Sequence, residues 1–397
     1  MKLDLRGGRS GRPHADAMGL ALATAALVLT CANGYCATTP PAQKASDFDY
    51  SYQSGSPTAE ALGGSYLLSL KGPEAGAANP SQVNNDLQPS ISVGAVVSDS
   101  NINVNNAQNL INQLSNLNDS SKSSSGISAA NSAFNDVWNY AGSAGAAVNP
   151  IGTYKNPGSL SVRIDPVIGA SLGGRWALIG ESNVQAVANI YRNQTGSTKQ
   201  LSVGGGAVGL TSAGVAFATP VNKITYGLYP KILRADYVGY AYSIDDQGGT
   251  PSRTNVPYEG KQTVDLDAGA SMNVLPDTLD ASVVVRHLFF PSLSVESGDT
   301  IKLNPEVDFG VHAKYYGLDG YAEAHNLTAS NVGNSGAGVT DHLGLQKTLV
   351  NTLALRAGFD DGKFVYGVGL HLFVINVDFA AGSSIDQRVG LSASFKI

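Results

Sequence analysis

Eight charged residues in the C-terminal half of the chain recur at alternate positions, opposite apolar residues. They are Asp265, Asp267, Glu306, Asp308, His312, Lys314, Arg356 and Arg388. The side chains of a β-strand alternate between its two faces, so the charges in each stretch share one face and the apolar residues share the other. On the inner wall of a barrel, such lumen-facing charges could line a polar conduit or hold a plug. They could equally pair with one another and fill a narrow interior.

The sequence gives little support for enzymatic or metal chemistry. The five histidines beyond the N-terminal region are His287, His312, His325, His342 and His371. None has the H-E-x-x-H spacing of a zinc site, and there is no G-x-S-x-G nucleophile motif. Residues 204–209 satisfy G-x-G-x-x-G, but the next residues have the pattern of a strand, where a dinucleotide site needs a helix. We therefore predict no enzyme activity, no catalytic residue, no metal and no cofactor.

Composition favours an exported barrel over a cytosolic enzyme. The chain has 397 residues, of which 46 are glycine and 14% are charged, and its mean hydropathy is −0.03. Soluble domains typically carry about 25% charged residues. A barrel that is apolar outside, polar inside and rich in turns fits these values better. The formal net charge of −6 argues against nucleic acid as a partner, because phosphate binding needs a basic surface.

The last residues have the pattern of a strand that closes a barrel. The apolar positions of this stretch are Val389, Leu391, Ala393, Phe395 and Ile397. A terminal strand of this kind resembles the closing strand of bacterial outer-membrane β-barrels. Closure removes the open sheet edge that would leave backbone groups unpaired in lipid. We predict that this strand pairs with the first strand, near Ile91, Val93 and Ala95, that it contacts lipid, and that the barrel insertion machinery recognises it.

Residues 160–397 provide for about fourteen strands, at roughly sixteen residues for each strand of ~9–11 residues and its connection. The clearest alternation lies in Val264–Val274 and Lys302–Tyr315. Asp360–Gly362 has the composition of a turn, and the apolar parity reverses near Leu372, which predicts a tight turn or a bulge. The predicted fold is all-β, a transmembrane antiparallel β-barrel of about 14 strands with an N-terminal plug segment and a small helical insertion.

Residues 1–37 are predicted to be a cleaved signal peptide. They have a basic start and a short apolar run, Ala17–Leu29. Both cysteines of the chain, Cys31 and Cys36, fall in this region, so the mature body is predicted to have no disulfide framework. No later run reaches the ~18 apolar residues of a transmembrane helix.

Residues 38–88 are predicted to form a leader and a plug. The first part, 38–56, is rich in proline, serine and threonine and is predicted to be mobile. Asn79 and Pro80 suit a plug, because proline lacks an N–H and asparagine can bond backbone groups that have no strand partner. The barrel itself is predicted at 89–397. Within it, residues 100–147 have apolar residues at helical spacing, which predicts a helical hairpin insertion, with a solvated loop as the alternative.

Several stretches, taken in order, resemble the barrels related to the long-chain fatty-acid transporter, and among them the TraF-type conjugal-transfer outer-membrane proteins. They are residues 265–273, 283–291, 302–315, 353–359 and 367–381. Residues 78–81 are similar to the family's Asn-Pro-Ala plug motif, with Ser81 in place of alanine. His287 stands where asparagine is expected, and Lys347 where an acid is commoner. These departures bear on a shared ligand more than on a shared fold.

The resemblance implies a barrel in the outer membrane of a Gram-negative bacterium and leaves two functions open. The first is a non-enzymatic component of a conjugal-transfer or secretion-type envelope apparatus, with apparatus proteins as partners. The alternative is a channel for uptake of hydrophobic small molecules, with the N-terminal segment as its hatch. An outer-membrane lipase or protease is least favoured, because the sequence has no nucleophile and histidine constellation.

Overall fold

In the computed structural model, most of the chain forms one closed antiparallel barrel. The residues described are 42, 44–85, 89–100, 134–139, 141–142, 146–151, 153–155, 157–172, 175–246, 252–294, 299–332, 338–349, 352–372, 375–382 and 387–396. Within them the ring has fourteen strands: β1 (Ser90–Ser100), β2 (Gly158–Ser171), β3 (Trp176–Thr195), β4 (Thr198–Val221), β5 (Ile224–Asp245), β6 (Ser252–Leu275), β7 (Leu279–Arg286), β8 (Glu306–Tyr315), β9 (Leu318–His325), β10 (Thr340–Leu349), β11 (Leu353–Asp360), β12 (Lys363–Leu372), β13 (Ile375–Gly382) and β14 (Gln387–Lys396). Three short strands are Val148–Asn149, Ser292–Ser294 and Thr300–Lys302. No described helix has the length and apolar character needed to cross a membrane.

The barrel closes between its first and last strands. β1 runs antiparallel to β14, with Ser90 opposite Lys396 and Val97 opposite Val389. On its other edge β1 pairs with β2, so the ring of strands is continuous. The predicted antiparallel barrel of about 14 strands, and the pairing of its last strand with its first, are confirmed. The predicted terminal residue Ile397 lies outside the described residues.

The two ends of the barrel differ in their connections. At one end, the turn end, the connections are 172–175, 222–223, 276–278, 316–317, 350–352 and 373–374. The other end, the loop end, carries the long connections 101–157, 287–305 and 326–339. One short turn at the loop end contains Asp361 and Gly362, both with positive φ (45° and 77°), as a type I′ hairpin requires. The predicted parity reversal near Leu372 is a hairpin at the turn end, where Leu372 pairs with Ile375.

The outer surface carries an apolar band. On β5 the band includes the exposed side chains of Tyr226, Leu228 and Ile232. It ends where Arg234 and Asp236 form a half-buried ion pair at 2.8 Å. The span from the start of β5 to Ile232 therefore approximates the ~9–11 residues with which a tilted strand crosses a bilayer.

Strands β3 to β5 continue well beyond this band at the loop end, and a helical segment covers their outer face there. Residues 134–139 are helical. Phe134, Val137 and Trp138 pack on Ile190, Leu201 and Val203. Lipid cannot reach a face that a helix occupies, so the lipid-facing band stops below this contact. The structure describes only the second half of the predicted helical insertion, because residues 101–133 lie outside the described residues.

Two expectations from the sequence were wrong in detail. The alternation in Lys302–Tyr315 does not form one strand, because β8 begins only at Glu306 and Lys302 belongs to a short strand paired with Ser292–Ser294. Leu303, expected on the lipid face, is buried in a cluster with Phe48 and Tyr50. Residues 38–56 were predicted to be a mobile leader. The same cluster contradicts this prediction, because it buries Phe48 and Tyr50. Alternation with a period of two residues predicts which face of a strand each side chain occupies, but it does not predict the residue at which the strand begins.

The apolar band makes a prediction about stability. Leu391 of β14 is 63% exposed on that band. Because a charge there must enter lipid, Leu391→Arg is expected to lower the free energy of unfolding by ~2–4 kcal/mol near the bilayer midplane. Urea titration in lipid vesicles measures this value. Ser197→Arg, in the exposed turn between β3 and β4, is the control and should leave the unfolding midpoint unchanged. Equal losses in the two variants would contradict the assignment of the band.

Candidate functional site

The barrel interior is filled by the N-terminal segment of the chain. We call residues 44–56 the strap and residues 57–85 the plug. The plug contains helix α1 (Pro57–Ala61), helix α2 (Pro73–Ala78) and a 3₁₀ helix, Pro80–Asn85. Each begins with proline, whose missing N–H would have no partner in the first turn anyway. α1 packs on β11 to β14 and β1, α2 on β1 to β4, and the 3₁₀ helix on β3 to β6. The plug therefore touches most of the wall.

Glycines on the inner wall let the plug approach the strands closely. We call this set the glycine seat: Gly169, Gly227, Gly269, Gly310, Gly344, Gly358, Gly367 and Gly390. A Cβ added at Gly227 would overlap the backbone of Pro80 and Ser81, and one at Gly344 would crowd the backbone of Leu62. At Gly227, Gly344 and Gly358 the seat thus places plug backbone against wall backbone at a distance that a Cβ would not allow.

Asn79 is the best-satisfied side chain of the plug. It is fully buried, and its Nδ2 donates to Leu67 O (3.0 Å) and to Ser282 Oγ (2.7 Å) on β7. Its Oδ1 accepts from the backbone N–H (3.1 Å) and the hydroxyl (2.7 Å) of Ser81. The amide therefore uses both donors and both acceptor positions. Pro80 follows with no N–H to satisfy. Ser81, which replaces the alanine of the similar motif, adds one of these bonds.

Carboxylates of the wall accept hydrogen bonds from the backbone of the strap and the plug. Glu306 accepts from Tyr52 N at 3.2 Å with both of its oxygens. Glu323 accepts from Tyr66 N at 2.9 Å and from Leu67 N at 3.0 Å. These N–H groups have no strand partner, and an unpaired buried N–H costs about as much as a lost hydrogen bond. The wall thus supplies the acceptors that a sheet would otherwise provide.

Arg286, at the end of β7, joins the plug to the wall. Its Nη1 donates to Ala77 O (3.1 Å) and its Nη2 to Ala78 O (2.5 Å), the last carbonyls of α2. Its Nε donates to Asp308 Oδ2 at 3.2 Å, and that carboxylate also accepts from the Tyr66 hydroxyl at 2.9 Å. The guanidinium lies 3.5 Å from the ring centre of Tyr52. A cation is favourable at a helix C-terminus, where carbonyls lack partners.

A second group of charges lies beside Arg286. Lys231 Nζ is 2.6 Å from Asp267 Oδ2 and 3.5 Å from Glu181, while His287 Nδ1 is 2.6 Å from Asp265 Oδ2. Ligand atoms of Asp265, Asp267 and His287 lie within 4.8 Å of one another, a spacing that could suit a metal ion. The Lys231 ammonium already neutralises Asp267, however, and the guanidinium of Arg286 lies 3.7 Å from it. This group is better described as an ion-pair cluster.

The predicted lumen-facing residues have different surroundings. Asp265, Asp267, Glu306 and Asp308 are fully buried in the groups described above. His312 is half-buried between Asp280 (3.2 Å) and Asp319 (3.0 Å). Arg356 pairs with Asp378 at 2.6 Å. Lys314 lies on the same face of β8 as Glu306 and Asp308, but it is exposed near the turn end. The side chain of Arg388 lies outside the described residues.

Several buried residues of the barrel interior were not found from the sequence. They are Arg286, Lys231, Glu323, Tyr52 and Tyr66. Arg286 follows three consecutive valines, which hide the alternation that places it on the inner face. Tyr52 and Tyr66 precede the first strand, and their roles depend on contacts more than two hundred residues away. No periodic signal could have identified them.

A polar cavity of about 280 Å³ lies between the strap, the plug and the loop end of the wall. Its lining includes the carboxylates of Asp49, Glu60, Asp165, Glu306 and Asp360. Beside them, Tyr66 stacks on His325 (4.1 Å between ring centres) and His325 stacks on His342 (4.0 Å). Pockets for small apolar ligands are lined mainly by apolar side chains. This cavity is instead lined mainly by charged and polar side chains.

Comparison with known proteins identifies the family. Residues 75–320, more than half of the chain, match the family model described as "F plasmid transfer operon, TraF, protein". The chain belongs to this TraF family. No curated protein matches the chain. The match to the family model confirms the predicted membership.

Solved β-barrel structures resemble this TraF-family chain in fold. The Ralstonia pickettii toluene transporter TbuX has a TM-score of 0.50 at 12% identity, covering 86% of this chain and 98% of that one. The Pseudomonas putida toluene transporter TodX scores 0.48 at 9% identity, covering 87% and 99%. A Pseudomonas aeruginosa FadL homologue scores 0.45 at 10% identity, covering 88% and 99%. At a TM-score of 0.50, the match to TbuX shows that the chain shares the β-barrel fold of that structure.

The glycine seat makes a prediction about the plug. A leucine at Gly227 would occupy the position of the Pro80 backbone, so Gly227→Leu is expected to displace the plug without preventing closure of the barrel. Single-channel recording in a planar bilayer should show an open-state conductance at least tenfold above that of the parent. Gly209→Leu is the matched control, because a Cβ there meets only ordinary contacts with Val184 and Asp236. A closed Gly227→Leu barrel would contradict the close contact.

Glu74 of α2 makes a prediction about pH. Burial, together with the nearby Asp378 carboxylate, raises the pKa of its carboxyl from 4.5 to about 7. The docked plug therefore binds this proton more tightly than a released plug. Its contribution to docking is fully present below about pH 4.5 and is lost as the pH rises through 7. Glu74→Gln should remove this dependence.

The measurement is maleimide labelling of a cysteine placed at the buried Ser69. From pH 5 to pH 8 the labelling rate should rise by up to roughly a hundredfold relative to the same protein carrying Glu74→Gln. The ratio cancels the intrinsic pH dependence of the thiol. A constant ratio would show that Glu74 does not titrate in this range.

Proposed function

We propose that this chain is a non-enzymatic outer-membrane component of a conjugal-transfer or secretion-type envelope apparatus, in which a plugged barrel serves as an anchor. The observation that carries the proposal is the way the plug is held. Its backbone lies in the glycine seat, and buried charges of the wall, such as Arg286 and Glu323, bond to it. A hatch that opens often would need fewer such bonds. Membership of the TraF family supports the same function.

The alternative is a channel for hydrophobic small molecules, as the toluene transporter TbuX is described. Likeness of fold is the argument for it, but one fold serves many functions. The carboxylates that line the cavity argue against it, because an apolar ligand would have to strip water from charged groups without replacing their bonds.

The proposal includes several partners and a processing step. The chain would contact outer-membrane lipid through its apolar band and the barrel insertion machinery through β14, with other apparatus proteins as further partners and no nucleic acid. Residues 1–37 would be removed on export, residues 38–88 would act as leader and plug, and the barrel at 89–397 would carry the insertion at 100–147.

Transfer frequency tests the function. Deleting the gene in a conjugative donor strain should reduce plasmid transfer at least tenfold, and the parent chain supplied in trans should restore it. Leu391→Arg, which is expected to destabilise the barrel in lipid, should restore transfer less well than Ser197→Arg. Toluene uptake, measured in the same strains, should not change. Normal transfer combined with reduced toluene uptake would favour the channel over the apparatus.

Closure is tested separately by deleting residues 57–85. The deletion variant should still migrate faster on a gel when unheated than when boiled, which shows a folded barrel. It should conduct in a planar bilayer, while the intact protein should not. A folded deletion variant that conducts no better than the intact protein would refute the plug.

A further inference from the structure

We infer that the N-terminal segment threads the barrel from end to end, so that Lys44 faces the outside of the cell. This goes beyond the proposed function, which requires only that the plug close the barrel. The evidence is the path of the chain from β1 back to the strap.

The path begins at the turn end. Ser90, the first residue of β1, pairs there with Lys396, near the end of β14. The 3₁₀ helix that precedes it, Pro80–Asn85, lies on the inner wall of β3 to β6. The plug therefore enters the lumen at the same end as the turns. In outer-membrane barrels the short turns are periplasmic and the longer connections extracellular.

The strap is found at the opposite end. Tyr50 N donates to Asn331 O at 2.7 Å, within the connection between β9 and β10. The backbone N–H and the hydroxyl of Ser46 donate to Asp299 Oδ2 at 2.9 and 3.1 Å, within the connection between β7 and β8. Both connections belong to the loop end. The segment therefore leaves the plug and reaches the extracellular mouth.

The strap is also packed at that mouth. Ala45, Phe48 and Tyr50 form a cluster with side chains of β5 and of the connection between β7 and β8. Those side chains include Leu233, Tyr237, Leu293, Ile301 and Leu303. The Tyr50 hydroxyl donates to Ala45 O at 2.7 Å and fixes the turn. Lys44, just before this cluster, is exposed. The cavity of about 280 Å³ lies beside the strap at this mouth.

This threading has a functional consequence. One segment is held at two places, by the plug in the glycine seat and by the strap at the extracellular mouth. The strap contacts two surface connections, so a contact made at the cell surface could reach the plug through continuous backbone.

Cysteine labelling on intact cells tests the inference. Both cysteines of the chain precede the strap, so with each replaced by serine, single cysteines can be placed at will. Lys44→Cys should react with a membrane-impermeant maleimide on intact cells, at a rate within about threefold of that of Ser197→Cys in the loop-end turn. Lys223→Cys, in an exposed turn at the turn end, is the matched control and should react only after the outer membrane is permeabilised.

Gel migration of unheated samples first shows that all three variants form barrels. Labelling of Lys44→Cys only after permeabilisation would place the start of the strap in the periplasm and overturn the inference. Labelling on intact cells would support it whether or not the chain contributes to plasmid transfer. The position of the strap and the role in plasmid transfer are therefore tested independently of each other.

Discussion

The interior of this barrel depends on the buried guanidinium of Arg286. A charge removed from water is costly unless its partners replace the lost hydration. Here those partners come from both bodies: Asp308 and Asp267 on the wall, and the last carbonyls of α2 in the plug. Neither the wall nor the plug alone satisfies the group. The same argument applies to Glu323, whose carboxylate is satisfied by backbone N–H groups of Tyr66 and Leu67. Burial of these charges therefore links the wall and the plug into one structure.

Width explains why such a plug is needed. About eight strands give an interior that side chains alone can fill, and a wider ring leaves space. Fourteen strands leave room for a chain segment, but a segment that is not a strand carries many unpaired backbone groups. The glycine seat brings some of these groups against the wall, and the carboxylates accept bonds from others. Small residues and buried charges on the inner face therefore have a common cause.

The sequence predicted the wall better than its contents, for a physical reason. Closure by β14 and the turn at Asp361 follow from local patterns, namely alternation and a residue pair that tolerates positive φ. The pairing of Lys231 with Asp267 joins two strands, and no periodicity specifies partners at that distance along the chain. Alternation along a strand also did not predict how deeply a residue is buried, since Asp308 is buried while Lys314 on the same strand is exposed. Composition misled in the strap, where a polar stretch is anchored by Phe48 and Tyr50.

The two sets of contacts, of the plug and of the strap, bear on how such a barrel could open. The plug is attached to β1 at the turn end, and the strap is bound to surface connections at the loop end. Withdrawing the plug toward the periplasm must also pull the strap from its cluster, because both belong to one continuous segment. Releasing the strap alone leaves the plug in its seat, bonded to Arg286 and Glu323. Full opening thus requires the loss of both sets of contacts, and local opening becomes rarer as more buried contacts must break together. This arrangement suits a barrel that stays closed while its two faces remain mechanically connected.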